Sequence, residues 1–266
     1  MDRKLHKRII IIFNAWLLLV TLTQGEFLVN VRTEAGNIVK ESISEDIAQS
    51  RVTLEYEDWD LTTVTQVVDF RASLNIFRII LYGEIELNQP TAQVLCFVTN
   101  FSRSEFIEPD AVSKLRQKNQ DAIRTSENKM ETRFATADLA VDIDLSDALS
   151  LHISDLCSMS KGAIYTTKMD IDKMAKDTGK DYDTLLAATR PLTTIPLPDC
   201  NKSHSSMEQC MCHYQFNIDW YPCNLRYCKG VVANKPTSYK CGIKTCSQSH
   251  SYQFPVENRM RCWWMV

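Results

Sequence analysis

The stretch CNKSHSSMEQCMCHYQFNIDWYPCNLRYCKGVVANKPTSYKCGIKTCSQSHSYQFPVENRMRC, Cys200 to Cys262, holds eight of the chain's ten cysteines: Cys200, Cys210, Cys212, Cys223, Cys228, Cys241, Cys246 and Cys262. It is also dense in aromatics, among them Tyr214, Phe216, Trp220, Tyr221, Tyr252 and Phe254. A segment this small cannot remove enough apolar surface from water to offset its chain entropy. Disulfides or a metal are the usual remedies, and the redox compartment decides between them.

The other end of the chain supplies that compartment. Residues 1–25 have a basic start (Arg3, Lys4, Lys7, Arg8), an apolar run from Ile9 to Val20, and a short stretch of mostly small or polar residues ending at Gly25. This is the pattern of a cleaved secretory signal. A membrane anchor needs about 20 apolar residues, more than this run offers, and no second long apolar run follows. A secreted, extracellular protein without a transmembrane anchor is expected. An even number of cysteines in an oxidising compartment reads as disulfides. The rival is zinc, suggested by Cys210-Met211-Cys212-His213. The pairs Cys223/Cys228 and Cys241/Cys246 lack the two-residue spacing of common zinc ribbons. No metal or other cofactor is expected. A bond between Cys210 and Cys212 would be strained, so each is expected to pair elsewhere. Eight cysteines allow about 105 connectivities, and the sequence does not choose among them.

Without the signal, 26 basic residues face 32 acidic ones, a net charge of −6. Residues 26–199 carry −11 and residues 200–266 carry +5. Opposite signs allow the halves to dock, or offer the basic half to sulfated glycans. A charge of +5 spread around a surface is ordinary, however, and no dense basic run occurs. Nothing points to nucleic acid.

The first half alternates in a strand-like way. Phe27–Arg32, Ile38–Ile43, Arg51–Glu57, Thr62–Phe70, Ile76–Leu87 and Gln93–Thr99 are the expected strands. Glu34–Asn37, Asp58–Asp60 and Asn88–Pro90 are the expected turns between them. This predicts an antiparallel meander. Glu108-Pro109-Asp110 opens a helix near 109–124. Thr125–Thr136 reads as a polar loop and Leu139–Asp144 as a short strand. Asp144–Cys157 has helical spacing of its apolar residues, with His152 off the stripe and solvated. Gly162–Thr167 is a further strand, and Asp170–Ala188 is two helical pieces broken at Gly179. Arg190–Pro198, with three prolines, closes the first domain. The expected organisation is a signal at 1–25, an α+β domain at 26–190, a linker at 191–199 and a small disulfide-rich domain at 200–266.

Catalytic patterns are missing. The five histidines fall in no known constellation, and there is no Gly-rich phosphate loop, Gly-x-Ser-x-Gly elbow or His-Glu-x-x-His. Asp142/Asp144 and Asp170/Asp172 read as solvated acids, without EF-hand spacing. A non-enzymatic protein is expected. Two sequons, Asn100-Phe101-Ser102 and Asn201-Lys202-Ser203, are glycosylation candidates. Asn201 has the more open setting, and Asn100 follows a strand.

Three C-terminal stretches carry a resemblance: Cys210-Met211-Cys212-His213-Tyr214, Trp220-Tyr221-Pro222-Cys223 running to Tyr227-Cys228, and Tyr239-Lys240-Cys241-Gly242-Ile243. With Leu95–Thr99, Lys114–Asn119 and Ala163–Thr166, they resemble the secreted "out at first" proteins across nearly the whole mature chain. A second resemblance covers about 50–170. Asp69-Phe70, Cys96-Phe97-Val98, Leu156-Cys157 and Ile164-Tyr165 resemble a BRICHOS domain, which implies a five-stranded sheet between two helices. The resemblance implies a Cys96–Cys157 disulfide, and closing a loop of roughly 60 residues contributes about 4 kcal/mol. It also implies that Asp69 is the characteristic acid. Its role is then structural or pH-sensing, since burial disfavours a charged carboxylate; the plainer reading is an exposed acid at a strand end. BRICHOS domains restrain β-prone client segments, and an uncovered sheet face would accept one. Here a cysteine-rich module follows instead of a simple apolar client, so the first domain would assist its own C-terminal part. Two functions follow: an extracellular regulatory or developmental factor that binds a protein or receptor, or a secreted anti-aggregation module.

Overall fold

A computed structural model of the chain describes residues 26–262, apart from 85, 87, 88, 90, 161, 193–195, 203–207, 233 and 234. The expected signal at 1–25 and part of the expected linker lie outside the described residues.

The molecule is mostly sheet with a few short helices, α+β in broad class. Strands β1 (Phe27–Arg32), β2 (Ile38–Asp46), β3 (Arg51–Glu57), β4 (Thr63–Asp69), β5 (Leu74–Leu81) and β6 (Gln93–Asn100) form an antiparallel meander. Two of its turns have local causes. Gly36 takes φ +92°, which suits glycine, and its N–H donates to the Thr33 carbonyl. In the β4–β5 turn the Asp69 carboxylate accepts the N–H groups of Arg71 and Ala72, both at 2.9 Å.

The sheet continues past the meander on both sides. β7 (Ile123–Arg124) adds to β1 in parallel. β11 (Ile164–Thr166) runs parallel to β6, and β10 (Leu139–Val141) and β12 (Thr189–Pro191) follow antiparallel. The order is β12-β10-β11-β6-β5-β4-β3-β2-β1-β7, so the sheet is mixed where a purely antiparallel one was expected. Arg190 and Pro191, expected at the domain end and linker, belong to its edge strand.

The expected helices are shorter. Instead of 109–124, only α1 (Pro109–Val112) is helical, with proline in its first turn. Instead of Asp144–Cys157, a 3-10 turn at Ile143–Ala148 leads to α2 (Leu151–Cys157). The Ser150 hydroxyl caps α2 by accepting the His152 N–H. In α3 (Lys168–Thr178) the Thr167 hydroxyl accepts the Asp170 N–H, and Gly179 at φ +69° ends the helix in the left-handed region. α4 (Tyr182–Leu186) follows. Among the described residues no helix is long and apolar enough to cross a membrane.

The C-terminal segment is one long antiparallel hairpin, β13 (Cys210–Val232) with β14 (Lys235–Val256), bulged near Tyr221, Asn224 and Tyr227. Pro222 sits at one of these irregularities, where a missing N–H is tolerated. Residues expected as a loop at 125–136 instead supply β8 (Asn128–Lys129) and β9 (Arg133–Thr136), both parallel to β14.

These parts make three layers. Alternation along β5 and β6 sends Leu74, Ile76, Cys96 and Val98 to one face, under α2 and α3 with Ile153, Ile171 and Met174. Phe77, Ile79, Leu95 and Phe97 point the other way, into a core completed by Phe216, Ile218, Tyr252 and Phe254 of the hairpin. The cysteine-rich part therefore has no separate core. The apolar face that two domains would each have to fill alone is a single shared one.

Candidate functional site

The seat of the hairpin on the sheet is built from rings. Phe97 stacks on Tyr252 at 4.1 Å and 8°, and Tyr165 lies 4.5 Å from Phe254. Phe77 meets Phe216 at 5.3 Å. At the rim Phe106 stacks on Tyr221 at 5.6 Å. Such pairs contribute about 0.5–1.5 kcal/mol each beyond their buried area. His250 lies inside this cluster, 2% exposed, with ring centroids 4.6 Å from Phe77 and 5.1 Å from Phe216. Burial, and then the charge of Arg133, lower its pKa to about 3. It is a neutral core side chain, and nothing in its sequence setting marked it as one.

All ten cysteines are bridged. The pairs are Cys96–Cys157, Cys200–Cys210, Cys212–Cys262, Cys223–Cys246 and Cys228–Cys241. Cys96–Cys157 ties β6 to the end of α2, the pair that the family resemblance implied. Cys210 and Cys212 each bond elsewhere. The hairpin is stapled across its strands by Cys223–Cys246 and again further out by Cys228–Cys241. Among the described residues no cluster of His, Cys, Asp and Glu is arranged to hold a metal.

Asp69 is 4% exposed, so the plainer reading of an exposed strand-end acid is overturned. Besides the two turn N–H groups, its carboxylate accepts the Ser150 hydroxyl at 2.6 Å. It therefore fastens the β4–β5 turn to the cap of α2. A second buried acid was missed. Asp170, read as solvated, is 3% exposed. It accepts the Asn100 N–H at 2.9 Å, the Thr167 hydroxyl at 2.7 Å and the Arg133 guanidinium at 2.9 Å. Arg133 lies on β9, beside β14, so this ion pair joins the helix layer to the hairpin layer. The Thr-x-x-Asp spacing from Thr167 to Asp170 was the available signal for its inward capping position.

The two sequons differ in access. Asn100 is buried, and its side-chain amide donates to Asp177 at 2.9 Å, which leaves no open face for a glycan. Asn201 is exposed.

Two surface features remain. A cleft of about 360 Å³ opens between β13 and the turns at 33–35 and 58–62, lined by Glu34, Asp58, Trp59, Asp60 and Asp219. In its wall Tyr56 donates to the Asn217 carbonyl at 2.5 Å. Glu41 is fully buried, its pKa raised first by burial and then by Asp219. The other feature is the outer arm of the hairpin, beyond Cys223–Cys246. There Tyr227 is 60% and Tyr239 54% exposed.

Comparison with known proteins identifies the family. Residues 25–174 match the family model described as "Out at first", and residues 199–266 match "Out at first, C-terminal". The chain is 34% identical over 258 residues to the "Out at first protein" of Drosophila virilis, covering 93% of this chain and 85% of that one. It is 34% identical over 267 residues to the "Out at first protein" of Drosophila melanogaster, covering 94% of this chain and 55% of that longer protein. No solved structure matches. With both halves matched by the two family models in order, the chain belongs to the Out at first family.

Proposed function

We propose that this chain is a secreted, non-enzymatic glycoprotein that acts by binding another extracellular protein or receptor, in a regulatory or developmental role. The observation that carries the reading is the state of the sulfurs. Five bridges and no free thiol are the chemistry of an oxidising compartment, and the basic-then-apolar pattern of residues 1–25 is a route to it. The binding part of the reading draws on the outer arm, which presents exposed tyrosines on a covalently stapled ribbon; aromatic anchors are frequent in interfaces. The non-enzymatic part draws on where the most perturbed groups sit. Glu41 and His250 are sealed beneath the hairpin, away from any substrate. Asn201 is the glycan acceptor in this reading.

Expression with its own N-terminus in secretory cells tests it. The protein is expected in the medium, starting after Gly25 and unreactive to maleimide until reduced. Proximity labelling at the cell surface is expected to return a saturable protein partner. Retention inside the cell with maleimide-reactive thiols would overturn the reading.

One observation favours a second reading, a BRICHOS-like module that assists its own C-terminal part. The aromatic face of the hairpin is seated on the sheet, as a client would be. Residues 200–266 expressed alone are then expected to form scrambled disulfides. Recovery of that fragment soluble and with the native four bridges would exclude it.

A further inference from the structure

Asn224 to Lys244 carries Arg226, Lys229, Lys235, Lys240 and Lys244 and no acidic residue. Five of the eight basic residues of 200–266 thus fall in the outer arm of the hairpin. Along the sequence they are sparse. The hairpin brings the two strands side by side and concentrates them. Tyr227 is the register partner of Lys240, and Lys229 of Ser238. Residues opposite each other, or two apart on a strand, share a face, so Tyr227, Lys229 and Lys240 stand together on one side of the ribbon. Tyr239 lies on the other side against Gly230, where an added Cβ would stand 3.1 Å from its ring.

The lysines are unspent. Arg226 is held by Glu127, but Lys229, Lys240 and Lys244 form no ion pair among the described residues and are exposed. Asp110, the acid that feels Lys240, is itself bonded to Lys114 at 2.6 Å. Two disulfides, Cys223–Cys246 and Cys228–Cys241, fix the arm, so little ordering remains to be done on binding.

We propose that this face of the arm is a docking surface for a sulfated glycan chain, a proposal that rests on the extracellular reading above. The arm is only two strands wide. None of the residues from Asn224 to Lys244 whose burial is described is buried, so this face presents its charges on an open ribbon without a pocket. A linear polyanion needs no pocket. It needs aligned point charges, spaced along a strand by about 7 Å per two residues, and the Tyr227 ring offers a flat apolar surface for a sugar face.

Binding of the purified full-length protein to heparin tests this without reference to secretion, so failure here and failure of the secreted reading are separate results. The double variant Lys229→Gln/Lys240→Gln is expected to bind immobilised heparin about tenfold more weakly or worse, with a shallower salt dependence, as for other polyanions. Lys168→Gln/Lys173→Gln removes the same charge from α3 and is expected to bind like the parent. Desulfated heparin is expected not to bind. Equal loss in both double variants, undiminished binding to desulfated heparin, or tighter binding to polyglutamate would each overturn the proposal, the last in favour of an acidic polypeptide. Should the arm variant misfold, acetylation footprinting of the parent decides. Heparin is expected to protect Lys229 and Lys240, and absence of protection overturns the proposal.

Discussion

Acidification should weaken this fold through one imidazole. His250 sits between Phe77 and Phe216, beside Arg133, its register partner on β9. Burial first and Arg133 second lower its pKa to about 3, from an ordinary value of 6.5. A histidine whose folded pKa is depressed gives stability that is fully present above the unfolded value. That stability is lost as pH falls, because the unfolded chain takes up a proton that the folded one refuses. The loss begins near 6.5 and levels off near 3. Each pH unit within this window is worth about 1.4 kcal/mol, so at pH 5 the cost is about 2 kcal/mol. Glu41 acts in the opposite sense. Its raised pKa gives stability that is present at low pH and lost as pH rises through the folded value. The total curve therefore mixes the two, and the informative quantity is a difference. Guanidinium unfolding, with disulfides intact, would compare the parent with His250→Phe and His250→Gln at pH 7.5 and pH 5. Both variants should lose about 2 kcal/mol less than the parent across that interval. Equal pH dependence in parent and variants would refute the placement of a neutral imidazole in the aromatic seat.

Other perturbations follow from the same contacts. Replacing Cys96 and Cys157 together by alanine opens a loop of 61 residues; the chain-entropy model gives a cost of about 4 kcal/mol, read as a lowered denaturation midpoint. Arg133→Met or Asp170→Asn alone strands one member of a largely buried pair and should cost about 3 kcal/mol. The double variant should cost less than the sum, as a thermodynamic cycle would show. Asn201→Gln should remove all N-linked glycan mass from protein recovered from secretory cells, whereas Asn100→Gln should leave that mass unchanged.

The meander was legible because each strand carries its own signal. Arg51–Glu57 alternates cleanly, and Leu95–Val98 is apolar on both sides because layers cover both faces. The resemblance to known families supplied the Cys96–Cys157 pair, which spacing alone did not choose. Illegible were the features made by distant partners. Arg133–Thr136 has no strand pattern, with Phe134 pointing to solvent; it is extended because β14, more than a hundred residues later, offers backbone groups to pair with. Asp170 looked like any acid at a helix start, since nothing near it in sequence shows that Asn100 and Arg133 close over it. The basic face of the arm was hidden for the same reason: two sparse strands become one dense surface only when folded back on each other.

The distribution of the crosslinks has a consequence for processing. One bridge lies wholly before residue 192 and four lie wholly after residue 199. No sulfur spans the two portions, yet β8 and β9 from the earlier one complete the later one's sheet. A protease that severed the chain between Leu192 and Pro196 would therefore release nothing. The cleaved molecule would migrate as two pieces in detergent without any reducing agent, while remaining a single particle in native buffer.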